Sequence, residues 1–207
     1  MARPEDPRVA RSRVLILDAA IDAFLEFGYD GVSVEIVAER AGVAKRTVYN
    51  IYGDKDALFR ATIGRSIATA ERFAMLLAEA IDALQDVDLE LPRLAEKLAE
   101  DVLLGPVLPL RRLLVGEAAR FPDLVAQYRE RAPDMILHAF ASAFARLTDR
   151  GLLAVAAPTL AAEHFAFLVM GAEMDRGMFG TTIAGPAQVR AKAREGARVF
   201  LAAYGRK

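Results

Sequence analysis

Ser33-Val34-Glu35-Ile36-Val37-Ala38-Glu39-Arg40-Ala41-Gly42-Val43-Ala44-Lys45-Arg46-Thr47-Val48-Tyr49-Asn50-Ile51-Tyr52 is the stretch on which the fold turns. It reads as two short helices, over about 34–41 and 45–52, joined by a turn at Gly42-Val43. Ser33 is a good N-cap, because its hydroxyl can accept from a backbone N–H left open in the first helical turn. Glu35, within that turn, suits the positive end of the helix dipole. Ala38 is small where two helices must approach closely, and Gly42 is the residue best able to take positive φ. Val37, Ala41, Val43, Val48 and Ile51 are apolar at the positions that bury the pair against a third helix. Lys45, Arg46, Thr47 and Asn50 are left outward on the second helix. Two helices with a short Gly-containing turn form a helix-turn-helix, whose second helix reads DNA.

The flanks extend the pattern. Upstream, a helix over 9–27 is predicted from Leu17, Ile21, Phe24 and Leu25, spaced i, i+4, i+7, i+8. Asp18, Asp22 and Glu26, four apart, form a solvated acidic stripe on another face. Gly28 supplies a left-handed cap, and Tyr29-Asp30-Gly31 a turn. Downstream, Gly53 ends the second short helix and Asp54 caps a long one. Phe59, Ile63, Ile67, Ala70, Ala74, Leu77 and Ile81 keep its rhythm for about six turns, up to a loop at Asp86-Val87-Asp88. Further helices are predicted near 91–104, 108–120, 122–150 (bent at Pro133), 158–178 and 186–204. Proline is absent between positions 7 and 92 and then recurs, several times near a predicted helix start, where its missing N–H costs nothing. No segment sustains a period of two, so the fold reads as all-α. The first seven or eight residues read as a flexible arm.

Composition narrows the class. Of 207 residues 54% are hydrophobic and 27% charged, which supports a large core and excludes disorder over most of the length. Cysteine is absent, which removes disulfides, thiolate nucleophiles and Cys-based zinc sites and fits a reducing cytoplasm. The mean hydropathy of +0.22 is high. The longest apolar runs, 102–110 and 151–162, nevertheless carry Gly and Pro and fall short of the roughly 18 residues a membrane span needs. The first twenty residues lack an apolar core followed by small cleavage-site residues, so no secretory signal is predicted. A soluble protein without a membrane partner is expected.

Net charge is −1, with 9 Lys+Arg against 10 Asp+Glu in residues 1–60 and 18 against 18 in 61–207. A nucleic-acid surface must therefore come from local placement. Lys45, Arg46 and Lys55 around the second short helix, and Arg3, Arg8, Arg11 and Arg13 around the start of the first, supply phosphate partners while the acids face elsewhere. Ordinary solvated charges on a three-helix unit are the plain alternative, and they leave the outward Thr47, Tyr49 and Asn50 unexplained.

Residues 10–70 resemble the DNA-binding domain of the TetR family of transcriptional regulators. The likeness rests on Phe24-Leu25-Glu26-Phe27-Gly28-Tyr29, Ser33-Val34, Ala41-Gly42-Val43 with Lys45, Thr47-Val48-Tyr49, and Tyr52 followed by Lys55-Asp56-Ala57-Leu58. It implies a homodimeric repressor, built from an N-terminal three-helix unit (10–70, motif 33–52) and a larger helical regulatory and dimerisation domain (71–207). Thr47 matches the family's recognition-helix contact, Tyr49 its phosphate-contacting tyrosine, Lys55 its basic backbone contact and Ser33 its capping, phosphate-touching hydroxyl. Ala44 and Asn50 depart from the usual capping hydroxyl and the usual aromatic or His. Asn50 suits adenine and Arg46 guanine. The run Arg112-Leu113-Leu114-Val115-Gly116-Glu117-Ala118-Ala119-Arg120-Phe121-Pro122-Asp123-Leu124 resembles the AefR-like or AcrR-like subset, which implies a hydrophobic effector.

The expected pocket is lined by Phe73, Leu77, Leu98, Val102, Leu113, Glu117, Phe121, Tyr128 and Met170. Glu117 fits a pocket carboxylate and a salt-bridged core residue equally well, and Phe165, Phe167, Met170, Met174 and Met178 on one late helix fit plain core or a malleable ligand wall. Helices 158–178 and 186–204 are expected to form a four-helix bundle with a second copy. Phe165, Leu168, Gly171 and Ala172 would meet Ala191, Arg194, Arg198, Ala202 and Ala203 there, so the operator should be near-palindromic. His138 and His164 lie on different predicted helices without acid partners at i±4, so neither a metal site nor a general base is expected. No phosphate loop, nucleophile elbow or carboxylate set appears, so no cofactor or catalysis is expected. The reading is a ligand-released DNA-binding repressor. Its rivals are a helix-turn-helix protein without a ligand and an all-α enzyme.

Overall fold

A computed structural model describes residues 7–180, 182 and 184–206, and its regular elements are helices. Arg3 and most of the expected arm lie outside the described residues, and helix already begins at Pro7. The described chain divides into two compact units. One holds the residues up to Thr69 together with Leu113–Tyr128; the other holds Ala70–Arg112 and the chain from Arg129 onward. Sequence order alone would place Leu113–Tyr128 with the second region.

The first unit contains α1 (Pro7–Gly31), α2 (Val34–Ala41), α3 (Lys45–Tyr52) and the start of α4 (Lys55–Asp82). Gly28 takes the positive φ expected of it, +70°, but with ψ 177° it kinks the chain, and one further helical turn follows where a plain turn was expected. The buried line of α1 is Ile16, Ala20, Ala23 and Phe24; Leu17, Ile21 and Leu25 are only half-buried. The stripe thus sits one position from the expected one. Small Ala20 and Ala23 let a neighbouring helix come closer than branched side chains would allow. Val37, Ala38 and Val48 of the short helices are buried with Leu58, Phe59 and Ile63 of α4.

The second unit is built from α5 (Val87–Leu103), the start of α6 (Val107–Gly116), α8 (Met135–Asp149), α9 (Pro158–Ala166), α10 (Ala172–Met178) and α11 (Pro186–Tyr204). The loop expected at Asp86-Val87-Asp88 is instead a helix start. The Asp86 carboxylate accepts from Leu89 N at 3.1 Å, and the Glu90 carboxylate accepts from the amides of Gln85 and Asp86, both at 2.8 Å. Pro92 therefore lies inside α5 and not at its beginning. α7 (Pro122–Arg129) runs into a π-helical turn, Glu130–Asp134, which contains Pro133 and interrupts the α-helix where the proline was expected to. A second π turn, Phe167–Gly171, interrupts the helix expected over 158–178. Phe140, Phe144, Phe165 and Phe200 form the aromatic centre, with ring centroids 4.9 to 5.8 Å apart. At Gly196 of α11 a Cβ would stand 2.3 Å from the Leu168 carbonyl oxygen, so two backbones meet there and only glycine fits. Among the described residues no helix is long and apolar enough to cross a membrane.

Candidate nucleic-acid interface

The turn between α2 and α3 is fixed by its own residues. The Ser33 hydroxyl accepts from Ile36 N at 3.3 Å. Gly42 takes φ 64° and donates to Glu39 O at 3.1 Å, while Val43 N donates to Ala38 O at 3.0 Å. Those two bonds satisfy carbonyls that the end of α2 would leave open. Val48, 1% exposed, anchors α3, whose Lys45, Arg46, Tyr49 and Asn50 are exposed and Thr47 half-buried. Ala44 offers α3 no side-chain cap. Thr47, Asn50 and Ile51 line an open groove of about 200 Å³ with Arg8, Val9 and Ser12 of α1.

Charges around this face are sorted by pairing. Lys45 binds Glu35 of α2, and its ammonium lies 5.5 Å from the Tyr49 ring centroid. That mutual hydrogen bond holds the Glu35 carboxyl below its ordinary value and raises the Lys45 ammonium. Arg40 binds Glu26 at 2.8 Å, and Arg65 binds Asp18 at 2.6 Å. The expected acidic stripe is thus neutralised at two of its three positions, and Asp22 stands exposed.

Lys55, at the start of α4, rests its ammonium 4.2 Å from the centroid of Tyr29 and reaches the Asp30 carbonyl at 3.5 Å. Tyr29 is 2% exposed and donates its hydroxyl to Asp56. Burial first, then that bond, push its phenol pKa up to about 12. Arg120 also lies over Tyr29, 4.4 Å from the centroid, and binds Asp30 at 3.1 Å. Phe121 meets Tyr29 at 5.2 Å and Phe59 at 5.1 Å, and Arg60 forks onto Asp123 at 2.6 and 3.1 Å. The sequence reading missed Tyr29 and Arg120. Tyr29 read as part of a turn and Arg120 only as a member of the run 112–124, because no periodicity joins positions 91 apart.

Several expected sites are placed differently. Phe121, 2% exposed and packed on Tyr29 and Phe59, lies in the core of the first unit. Leu113, Glu117 and Tyr128 belong to that unit too. Leu77, Leu98 and Val102 lie in the apolar cluster of the second unit, and Phe73 and Met170 pack against it. Phe165 is a correction. It is fully buried against Phe140, Phe144 and Phe200 and has no surface to offer a second copy. The outward positions are Phe167, 74% exposed, and Leu168, since residues two and three past buried Phe165 turn away from its face on a helix. Ala172, Ala191, Arg194, Arg198, Ala202 and Ala203 are exposed and Gly171 half-buried. Arg194 binds Glu96 at 2.6 Å and Arg198 binds Glu195 at 3.6 Å. His164 shares a 2.7 Å hydrogen bond with the Tyr204 hydroxyl, and His138 is exposed. Among the described residues no group of acids and histidines is placed to hold a metal ion.

Comparison with known proteins follows this geometry. Residues 16–62 match the model for bacterial regulatory proteins of the tetR family, and residues 89–206 match that for the C-terminal domain of AefR-like transcriptional repressors. A crystal structure of a TetR-family transcriptional regulator from Mesorhizobium loti MAFF303099 is similar over 97% of this chain and 100% of its own, with a TM-score of 0.89 and 31% identity. The HTH-type transcriptional regulator YezE of Bacillus subtilis is 26% identical over 144 residues, 67% of this chain and 71% of that protein. SmeT, solved in complex with triclosan, shares the fold at 19% identity and a TM-score of 0.69, over 95% of this chain and 92% of its own. The helix-turn-helix read from Ser33 to Tyr52 and the AefR-like match over the rest of the chain agree: this protein belongs to the TetR family of DNA-binding transcriptional regulators.

Proposed function

We propose that this regulator is a homodimeric repressor, acting in the cytoplasm, that leaves a near-palindromic operator when a mainly apolar small molecule binds its second unit. One observation carries the DNA reading. α3 buries Val48 and turns Arg46, Tyr49 and Asn50 outward, while Asp18, Glu26 and Glu35 nearby are each neutralised by a cation. Arg46 suits guanine and Asn50 adenine in the major groove. Ser33, Lys45, Thr47, Tyr49 and Lys55 are assigned to the backbone and to positioning. The effector site is assigned to the cluster of Phe73, Leu77, Leu98, Val102 and Met170, whose Phe and Met side chains adapt to apolar shapes. The triclosan held by SmeT supports a ligand of that character. Phe167, Leu168 and Ala172 with Ala191, Val199, Ala202 and Ala203 are assigned to the two-fold interface, with Arg194 and Arg198 at its edge. No catalytic role and no cofactor is assigned.

The test is capture of genomic fragments by the purified protein, followed by footprinting and a thermal-shift screen of apolar compounds. Two protected half-sites, with centres roughly 34–36 Å apart or more, are expected. Hits should weaken operator binding at least tenfold, which needs a preference of about 1.4 kcal/mol for the released state. Retention of no fragment above background sinks the DNA reading. Tight binders that leave operator affinity unchanged remove the switch and keep the regulator.

A further inference from the structure

Lys55 does not stand alone at the head of α4. Its ammonium lies on one cation-accepting ring, Tyr29, at 4.2 Å, and Arg120 lies on the same ring at 4.4 Å. Two like charges share one small aromatic because acids close the arrangement. Asp30 pairs with Arg120 at 3.1 Å and gives its carbonyl to Lys55, and Asp56 takes the Tyr29 hydroxyl. The ring itself cannot drift. Phe24, Phe59 and Phe121 surround it with centroids at 6.0, 5.1 and 5.2 Å, and the residue is 2% exposed. A lysine on a flexible four-carbon stem gives up much rotamer freedom when it grips a phosphate. A ring held rigidly beneath its ammonium removes part of that cost beforehand.

We propose that Tyr29 and Arg120 are positioning residues for Lys55, so that the segment Leu113–Tyr128 sets the strength of one sequence-independent contact to the operator backbone. This rests on the reading of Lys55 as a phosphate contact. The chain just after Arg120 is fastened twice: Phe121 packs on Tyr29 and Phe59, and Asp123 is forked by Arg60 of α4. The segment therefore reports its own placement to the ring. The chain enters it from α6, which begins in the second unit, and leaves it at Arg129, which belongs to that unit again. Any effector-linked change in α6 reaches Lys55 through Arg120 without touching α3. Affinity for all sequences then changes together, and base preference does not.

The experiment is a double-mutant cycle on the full-length protein with its footprinted operator, read as affinity against salt. Arg120→Ala should weaken binding about three- to tenfold, the scale of one cation–π contact and one phosphate contact. It should also lower the salt slope by about 1, as Lys55→Ala does. Combining the two should be no worse than Lys55→Ala alone, and Arg120→Lys should restore most of the slope. Tyr29→Phe keeps the ring and should bind like wild type with the full slope. Full additivity of Arg120→Ala and Lys55→Ala would overturn the proposal, since Arg120 would then act by another route. So would an unchanged slope in Arg120→Ala. The wild-type affinity tests the DNA reading, and the cycle tests only the positioning.

Discussion

The two compact units differ in how far apart in sequence their decisive partners lie. In the first unit each turn of the helix-turn-helix is fixed by residues a few positions away. Ser33 caps α2, Gly42 closes it, Gly53 ends α3, and the Asp54 carboxylate accepts from Ala57 N at 2.8 Å to start α4. In the second unit the start of α5 is held as locally, but other ties are distant. Lys192 reaches Glu173 across 19 positions and Arg190 reaches Glu100 across 90. The Leu113–Tyr128 segment follows the second pattern even though it packs with the first unit, joining Arg120 to Asp30 and Asp123 to Arg60. A local signal can be read from a window of sequence, whereas a distant one exists only after folding.

Substitutions test that contrast. The largest effect is expected at Phe165 in the second unit. Phe165→Ala should cost about 3–5 kcal/mol in chemical denaturation, the usual loss for a fully buried aromatic, and the loss should not depend on protein concentration. A loss seen only on dilution would return Phe165 to a subunit interface and break the contrast drawn above. Next is Glu173, 3% exposed and bound to Lys192, Arg176 and the Ala184 amide at 2.9 Å. Glu173→Gln should cost about 2 kcal/mol at neutral pH, in the range for hydrogen bonds to a charged group. Its Lys192 partner holds the carboxyl below its ordinary value. The stabilisation is therefore complete above the unfolded carboxylate pKa and is lost as pH falls through the lowered folded value. The gap between wild type and variant should close in acid; a gap that stays constant with pH counts against the assignment.

The first unit should answer on a smaller scale. Ser33→Ala removes one cap and should cost about 1 kcal/mol, with faster amide exchange confined to α2. Accelerated exchange in α8 or α9 instead would show that the cap acts beyond its own helix. Smallest in stability and large in function are Thr47→Ala and Tyr49→Ala on α3. Each should shift unfolding by less than about 0.5 kcal/mol while weakening operator binding by gel shift. A stability loss that tracks the binding loss would move these residues from the recognition surface to the core.

Legibility followed the same line. The bounds of α2, α3 and α11 match the spans expected from caps, glycines and proline. The start of α5 was missed because Asp86-Val87-Asp88 looks like a loop until Glu90 is seen to fold back onto the amides of Gln85 and Asp86. Pro133 announced a bend, but nothing in Phe167-Leu168-Val169-Met170-Gly171 announced the second π turn. Phe167, at its start, is 74% exposed while Phe165, two positions earlier on the opposite face, is fully buried.

By itself, then, the sequence determined an all-α chain, a helix-turn-helix from Ser33 to Tyr52, and the outward Lys45, Arg46, Tyr49 and Asn50, while Thr47, expected outward with them, is half-buried. Caps, positive-φ glycines and one apolar stripe on a short helix act within a few residues and leave little choice. Only the tertiary structure decided the roles of Tyr29, Arg120, Phe121 and Phe165. A segment such as 160–170 is apolar on most sides, so its periodicity names no inner face. Which face goes inward depends on the partner that fills the space, here Phe144 and Phe200 for Phe165, and Tyr29 and Phe59 for Phe121.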